Sequence, residues 1–327
     1  MKLNENKIAE DIYRINLSLN LSSIKNINIH LIKNINGYTL IDTGWNIEGK
    51  IDELLNKLDE LQINLDEINQ IILTHLHIDH FGLVNKLRKL TKFELCANPR
   101  ELIFYKNFET NIFKKLLTYT GFQESEIKEI IQMLDLVKNI IPSKIDRWIY
   151  GNEIIKSRKN KSIIISTPGH TPGNLSIYNS KEKLFISGDH ILPKITSNIT
   201  FYPFIKNYNP LDDYFKSLNE INKLDIIKVS PSHGDIFFNI NKRIREIIKH
   251  HNNRLNEIDK ACITDEFDNL LNTPYEVANE ISWSKDKFSK LSTFDKFLAV
   301  LETITHIKFL KKEIKINDKE LKLVNFY

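Results

Sequence analysis

The stretch Thr74-His75-Leu76-His77-Ile78-Asp79-His80 places three histidines and one aspartate within six positions, with Gly82 just beyond. Imidazole and carboxylate are ligands that Zn²⁺, Fe²⁺ and Mn²⁺ accept. The apolar run Ile71-Ile72-Leu73 precedes the cluster, and Phe81-Gly82-Leu83-Val84 begins a helical pattern. The segment therefore predicts a buried strand that ends in a ligand-bearing loop and opens a helix. A histidine-rich surface turn is the plainer alternative. Three more segments, each with a further ligand, weigh against it.

Those segments are Thr167-Pro168-Gly169-His170, Ser187-Gly188-Asp189-His190 and Ser230-Pro231-Ser232-His233-Gly234. Each follows an apolar run of strand type: Ser162-Ile163-Ile164-Ile165, Lys183-Leu184-Phe185-Ile186 and Ile226-Ile227-Lys228-Val229. Loops containing Gly or Pro at strand ends aim polar groups rigidly while leaving them within reach of solvent. Together with Ile41-Asp42-Thr43-Gly44, these motifs in this order resemble the metallo-β-lactamase superfamily of metallohydrolases over roughly residues 10–240.

The resemblance implies an α/β fold of four layers, αββα, holding two divalent metal ions, with zinc the default and iron or manganese allowed. It implies His75, His77 and His170 at one metal, Asp79, His80 and His233 at the other, and Asp189 bridging both. Two cations so held would provide a hydroxide nucleophile near neutral pH, with Asp79 as the catalytic residue that coordinates and shuttles a proton. Asp42 is expected behind the ligands, bonded to a ligand histidine or a loop amide. His190 is expected at the pocket edge, with Phe201, Tyr202 and Phe204 lining a substrate pocket. His30 is expected to be a strand histidine, and His250 and His251 to be exposed.

The 327 residues suffice for one large domain plus a small one, and 41% hydrophobic against 27% charged residues supports an ordinary globular core. No apolar stretch approaches the roughly 18 residues that a membrane span needs. The opening Met1–Lys7 lacks the apolar segment of a signal peptide, and Cys96 and Cys262 lie far apart. Both observations predict a reducing, cytoplasmic location with two ordinary buried thiols.

Strand patterns occupy Ile12–Ile15, Ile27–Ile32 and Tyr38–Ile41, with a hairpin turn at Asn36-Gly37, and residues 47–61 have helical spacing. Between 100 and 140 apolar residues recur at three- and four-residue intervals. This predicts two or three inserted amphipathic helices whose apolar residues mostly pack as core, the alternative being a cap over the site with aromatic residues facing substrate. The hydrolase domain is expected over residues 1–245 and a second domain over 246–327. In the latter, Thr273-Pro274-Tyr275-Glu276 reads as a capped helix start, Thr293–Lys312 as a longer helix, and Glu313–Val324 as a hairpin around Asn317-Asp318. That order resembles the small winged-helix domain closing one branch of the superfamily, which includes an RNA-cleaving mitochondrial protein and many bacterial hydrolases.

An apolar cap suits a small acyl thioester, ester or lactone as substrate. The alternative is a single-strand endoribonuclease using the winged helix. Against it, residues 246–327 carry 13 Lys+Arg and 14 Asp+Glu, a net charge of −1, with lysines clustered only at Lys308, Lys311, Lys312, Lys315, Lys319 and Lys322. A nucleic-acid platform normally shows a basic footprint. The terminal domain is therefore expected to pack, or to bring two copies together as a homodimer.

Overall fold

The computed structural model describes residues 6–19, 25–102, 110–157, 159–203, 205, 208–266, 269–283, 286–311, 313–316 and 319–320. Its first sheet holds β1 (Lys7–Ala9), β2 (Ile12–Ser18), β3 (Asn26–Asn34), β4 (Gly37–Ile41), β5 (Ile68–Ile72), β6 (Glu94–Ala97) and β7 (Arg147–Trp148) in chain order. Pairing is antiparallel from β1 to β4 and parallel from β4 to β7. The second sheet holds β8 (Ile154–Lys156), β9 (Lys161–Ser166), β10 (Leu175–Asn179), β11 (Leu184–Gly188), β12 (Lys228–Pro231) and β13 (Phe237–Phe238), again in chain order. Only the β11–β12 pairing in it is parallel.

The two-residue period of a strand sorts side chains onto opposite faces, and here it builds three stacked cores. Ile12, Ile32, Ile41 and Ile72 of the first sheet meet Ile164, Leu175, Ile177 and Ile186 of the second. Ile15, Ile27, Ile29 and Leu31 point the other way, onto Leu54 and Leu58 of α1 (Lys50–Glu60) and onto Phe81, Val84 and Leu87. The last three belong to α2 (Ile78–Phe81) and α3 (Val84–Leu90). Behind the second sheet, Tyr178, Phe185 and Val229 pack under the helices that follow it. The layers run helix, sheet, sheet, helix, as expected.

The β3–β4 hairpin turns one residue earlier than Asn36-Gly37. Ile35 and Asn36 form the loop, and Gly37 pairs with Asn34. Gly37 has φ +150°, and a Cβ there would run into the Glu67 carbonyl oxygen, so glycine is required by close approach as much as by the turn.

The insertion forms α4 (Thr110–Tyr119) and α5 (Glu124–Ile140). Its described apolar face packs as core. Phe113, Leu116, Leu117, Ile127 and Ile130 pack against Val277, Phe297, Val300, Leu301 and Ile304 of the C-terminal region. Burying each such side chain contributes roughly 1.5–3 kcal/mol, so these two helices and the C-terminal helices form one body. Ile103, Phe104 and Phe108, and the side chain of Ile112, lie outside the described residues.

After α6 (Pro210–Ile221), α7 (Ile240–Ala261) runs unbroken across the expected boundary at 245/246. Ile240, Ile244 and Ile247 pack with the second sheet, while Ile258 belongs to the C-terminal core. His251 corrects an expectation: it is fully buried rather than exposed, because it lies on the inward face of this helix. Next come α8 (Pro274–Glu280), opened by the expected Thr273–Glu276 capping box, and α9 (Thr293–Phe309). The tail pairs β15 (Glu313–Ile316) in parallel with β14 (Asn269–Leu270) and as a hairpin with β16 (Lys319–Glu320). Lys312, Asn317, Asp318 and Lys322 lie outside the described residues.

Candidate metal centre

The strand-to-helix passage Leu73–His77 between β5 and α2 is held from below by Asp42. This residue ends β4 in the left-handed region, at φ 62°. Its carboxylate accepts the Thr74 amide at 2.8 Å, the Thr74 hydroxyl at 2.8 Å and His80 Nδ1 at 2.8 Å. A hydroxyl has one proton, and Thr74 gives it to Asp42. His75 Nδ1, 3.0 Å from the same hydroxyl oxygen, is therefore the donor in that pair, which leaves the lone pair on His75 Nε2.

The second sheet delivers its ligands at the matching strand ends. His170 follows β9, Asp189 follows β11 and His233 follows β12. His170 Nδ1 donates to the Asn198 carbonyl at 2.8 Å, and His233 Nδ1 to the Asn26 carbonyl at 2.8 Å. Both rings thus turn Nε2 inward: on His170, held neutral by burial, with its lone pair free, and on His233 as the nitrogen that a cation would deprotonate and take. Asn28 of β3 ties the His233 loop to the first sheet by donating to the carbonyls of Pro231 at 2.9 Å and Gly234 at 2.8 Å.

The inward atoms form two groups. His77 Nδ1 lies 3.0 Å from His75 Nε2 and 3.1 Å from His170 Nε2. With at most one proton to share, it cannot satisfy both neighbours. In the other group, Asp79 Oδ2 is 3.2 Å from His233 Nε2 and 3.7 Å from His80 Nε2. Asp189 Oδ2 stands between the groups, 3.4 Å from His233, 3.6 Å from His80 and 3.9 Å from His170. Buried polar atoms are normally paired, yet His80 Nε2, His233 Nε2 and Asp189 Oδ1 have no hydrogen-bond partner among the described residues. Converging imidazole nitrogens and carboxylate oxygens, orphaned inward atoms and outer nitrogens already engaged are the donor set that a pair of divalent cations fits.

Electrostatics divide the rings in the same way. Burial, reinforced by His170, holds His77 down to about 3, and burial with the surrounding histidines holds His75 well below its usual range. These are neutral imidazoles. Burial opposes the charged form of His80 and His233, but Asp42, Asp79 and Asp189 outweigh it for His80, and Asp189 and Asp79 do so for His233, raising it to about 10. Burial raises Asp79, and His80 with His233 overcome it, drawing its carboxyl down to about 2.

The structure thus brings together His75, His77, Asp79, His80, His170, Asp189 and His233, with Asp42 behind His80. His30 bonds Ser230 Oγ at 2.7 Å between the sheets, and burial holds it near 3. His190 is not at a pocket edge. Its ring is fully buried edge-on against Tyr214, with centroids 5.0 Å apart. Phe201 is buried in the core shared by the insertion and the C-terminal helices, and Tyr202 is buried as well. Phe204 lies outside the described residues.

One functional residue escaped the sequence reading. Glu101, in the short turn after β6, accepts the Leu76 amide at 2.9 Å and the Gly173 amide at 2.7 Å. It fastens the histidine loop of one sheet to the His170 loop of the other. Burial raises its carboxyl, with Thr171 and the two amides acting against this. A carboxylate two residues after Pro99 has no local signature of such a role.

Comparison with known proteins agrees with this geometry. A probable metallo-hydrolase of Bacillus subtilis is 22% identical over 306 residues, covering 89% of both chains. A hydroxyacylglutathione hydrolase of Haemophilus influenzae is 26% identical over 152 residues, 46% of this chain and 59% of that protein. A crystal structure of a metallo-beta-lactamase family protein from Thermus thermophilus shares the fold with TM-score 0.77 at 20% identity, covering 93% of this chain and 94% of that one. Residues 24–234 match the family described as the Metallo-beta-lactamase superfamily, a span that holds every ligand of the centre. The chain belongs to that superfamily.

Proposed function

We propose that this chain is a two-metal hydrolase, with zinc as its cation, acting on a small acyl thioester or a related ester or lactone. The observation that carries the hydrolase reading is the convergence of seven ligand-type side chains, with three buried inward atoms lacking hydrogen-bond partners among the described residues. Bound there, divalent cations supply Lewis acidity and a nucleophile drawn from water at neutral pH. The protein's own part is to hold those side chains in place. Asp42 and the Asn26 and Asn198 carbonyls fix the His80, His233 and His170 rings. Asp79 Oδ2, ionised and beside His233, is placed to take and pass a proton.

Support for the acyl substrate comes from the Haemophilus relative, whose name denotes cleavage of an acylated glutathione, a thioester. The net charge of −1 over residues 246–327 favours a packing role for a winged-helix-like end over RNA binding. The test is a panel of acyl thioesters, lactones and single-stranded RNA offered to zinc-reconstituted protein, with Asp79→Asn as control. Thioester or lactone turnover abolished by Asp79→Asn is the expected result. Cleavage of RNA alone would replace the acyl substrate by a nucleic acid, and no metal uptake would end the hydrolase reading.

A further inference from the structure

The C-terminal helix α9 carries a carboxyl that the hydrolytic scheme does not use. Glu302 is buried, and burial pushes its pKa up to about 7. No cation lies within ion-pair distance of it among the described residues. An unpaired buried carboxyl is costly, so the hydrogen bond it makes among the described residues is informative. Glu302 Oε2 accepts from Asn198 Nδ2 at 2.7 Å.

Asn198 is the residue whose carbonyl holds His170 Nδ1. It lies between β11 and α6 with no strand or helix to set its carbonyl direction. Its side chain does this instead, accepting Thr200 Oγ1 at 2.6 Å and donating to Glu302 and, at 3.4 Å, to the Leu298 carbonyl of α9. Ser197, its neighbour, donates to the Asp189 carbonyl. Glu302 also stands near His250 and His251, a grouping with the residue types of a cation site. Arg254 argues against a cation there, since its positive charge bears on both histidines and on Glu302. The stacked His251–His306 pair, with Nδ1 and Nε2 3.1 Å apart and His306 Nδ1 on the Glu302 carbonyl at 2.8 Å, instead braces the turn of α9 that carries Glu302.

We infer that Glu302 is a positioning residue for the metal centre: through Asn198 it fixes the tautomer and direction of His170, so the C-terminal region completes a site built by the other domain. The inference rests on the two-metal reading for its consequence, and its geometry stands without it. Partners behind a ligand histidine typically change metal affinity about 10–100-fold.

The test compares wild type, Glu302→Gln, Glu302→Leu and Asn198→Ala by imidazole ¹⁵N NMR of the metal-free proteins and by zinc titration against a chelator. Gln keeps an acceptor for Asn198 and should match wild type, with the His170 proton on Nδ1. Leu removes the acceptor, and Asn198→Ala breaks the link from the other end while keeping the backbone carbonyl. Both should show mixed His170 tautomers and a loss of about 10–100-fold in affinity for one of two zinc ions. Should Glu302→Leu fail to fold, Asn198→Ala decides the matter alone. Either variant folded with an unchanged His170 tautomer and unchanged zinc affinity would overturn the inference. Absence of zinc binding in wild type would sink the proposed function, while the NMR comparison would still decide the role of Glu302.

Discussion

Nδ1 of His80 lies 2.8 Å from Oδ2 of Asp42, while the opposite nitrogen of the same ring has no hydrogen-bond partner among the described residues. One side of the ring is fixed so that the other is available. Asp42→Asn should therefore weaken the cation held near Asp79, His80 and His233 by about 10–100-fold. The amide can accept at one atom only, whereas three donors converge on Asp42. Competitive metal titration measures the effect, and unchanged affinity would assign Asp42 to the turn alone.

Glu101 joins two loops from different sheets. Glu101→Ala would remove the acceptor shared by the Leu76 and Gly173 amides, and stranding the buried Gly173 amide costs about 1–3 kcal/mol. Urea unfolding of the metal-free protein should show a loss in that range. Zinc uptake should fall as well, because His77 and His170, now 3.1 Å apart, lose their common anchor. A destabilised variant with unchanged zinc affinity would limit Glu101 to a structural role.

His190 directly follows Asp189, yet neither of its ring nitrogens has a hydrogen-bond partner among the described residues, and burial holds the ring near 3. Desolvated, unpaired nitrogens cost about 1–3 kcal/mol. His190→Leu, similar in bulk, is expected to leave stability equal or higher and to retain both metals. Loss of a metal ion in elemental analysis would make His190 a ligand.

Glu302 gives a pH signature with a defined sign. Its carboxyl titrates at about 7 in the fold against 4.5 ordinarily. Between those values the unfolded chain releases a proton that the fold keeps, so this residue lowers stability as pH rises. At roughly 1.4 kcal/mol per unit, the loss comes to about 3 kcal/mol, complete above pH 7. Metal-free Glu302→Gln should match wild type near pH 4 and exceed it by about 3 kcal/mol at pH 8. Parallel stability curves for the two proteins would show that Glu302 is ionised within the fold.

Much of this was legible in the sequence because local chemistry dictated it. The ligand loops announce themselves through strand-like runs that end at Gly or Pro beside His and Asp, and Thr273–Glu276 states its helix start outright. What stayed hidden depends on contacts far apart in the chain. Helical spacing shows that Phe113 and Leu117 face something apolar, but not whether that is a substrate or α9. His251 reads as polar and exposed until the inward stripe of α7 is seen to run on past Ile247 to Ile258, with His251 on it. Glu101 and Glu302 act across 72 and 104 residues respectively, beyond any pattern in a local window.

The polar seam between the two sheets has one further consequence. Asn28 reaches the His233 loop, Leu175 donates its amide to the Thr74 carbonyl at 2.9 Å, and Glu101 spans the remaining gap. The first sheet alone carries four of the seven ligand-type residues and the second three. A chain whose halves have not yet docked holds two incomplete sites, so uptake of the proposed metal pair would report assembly of the whole molecule, and a bound pair would act as a latch across the seam.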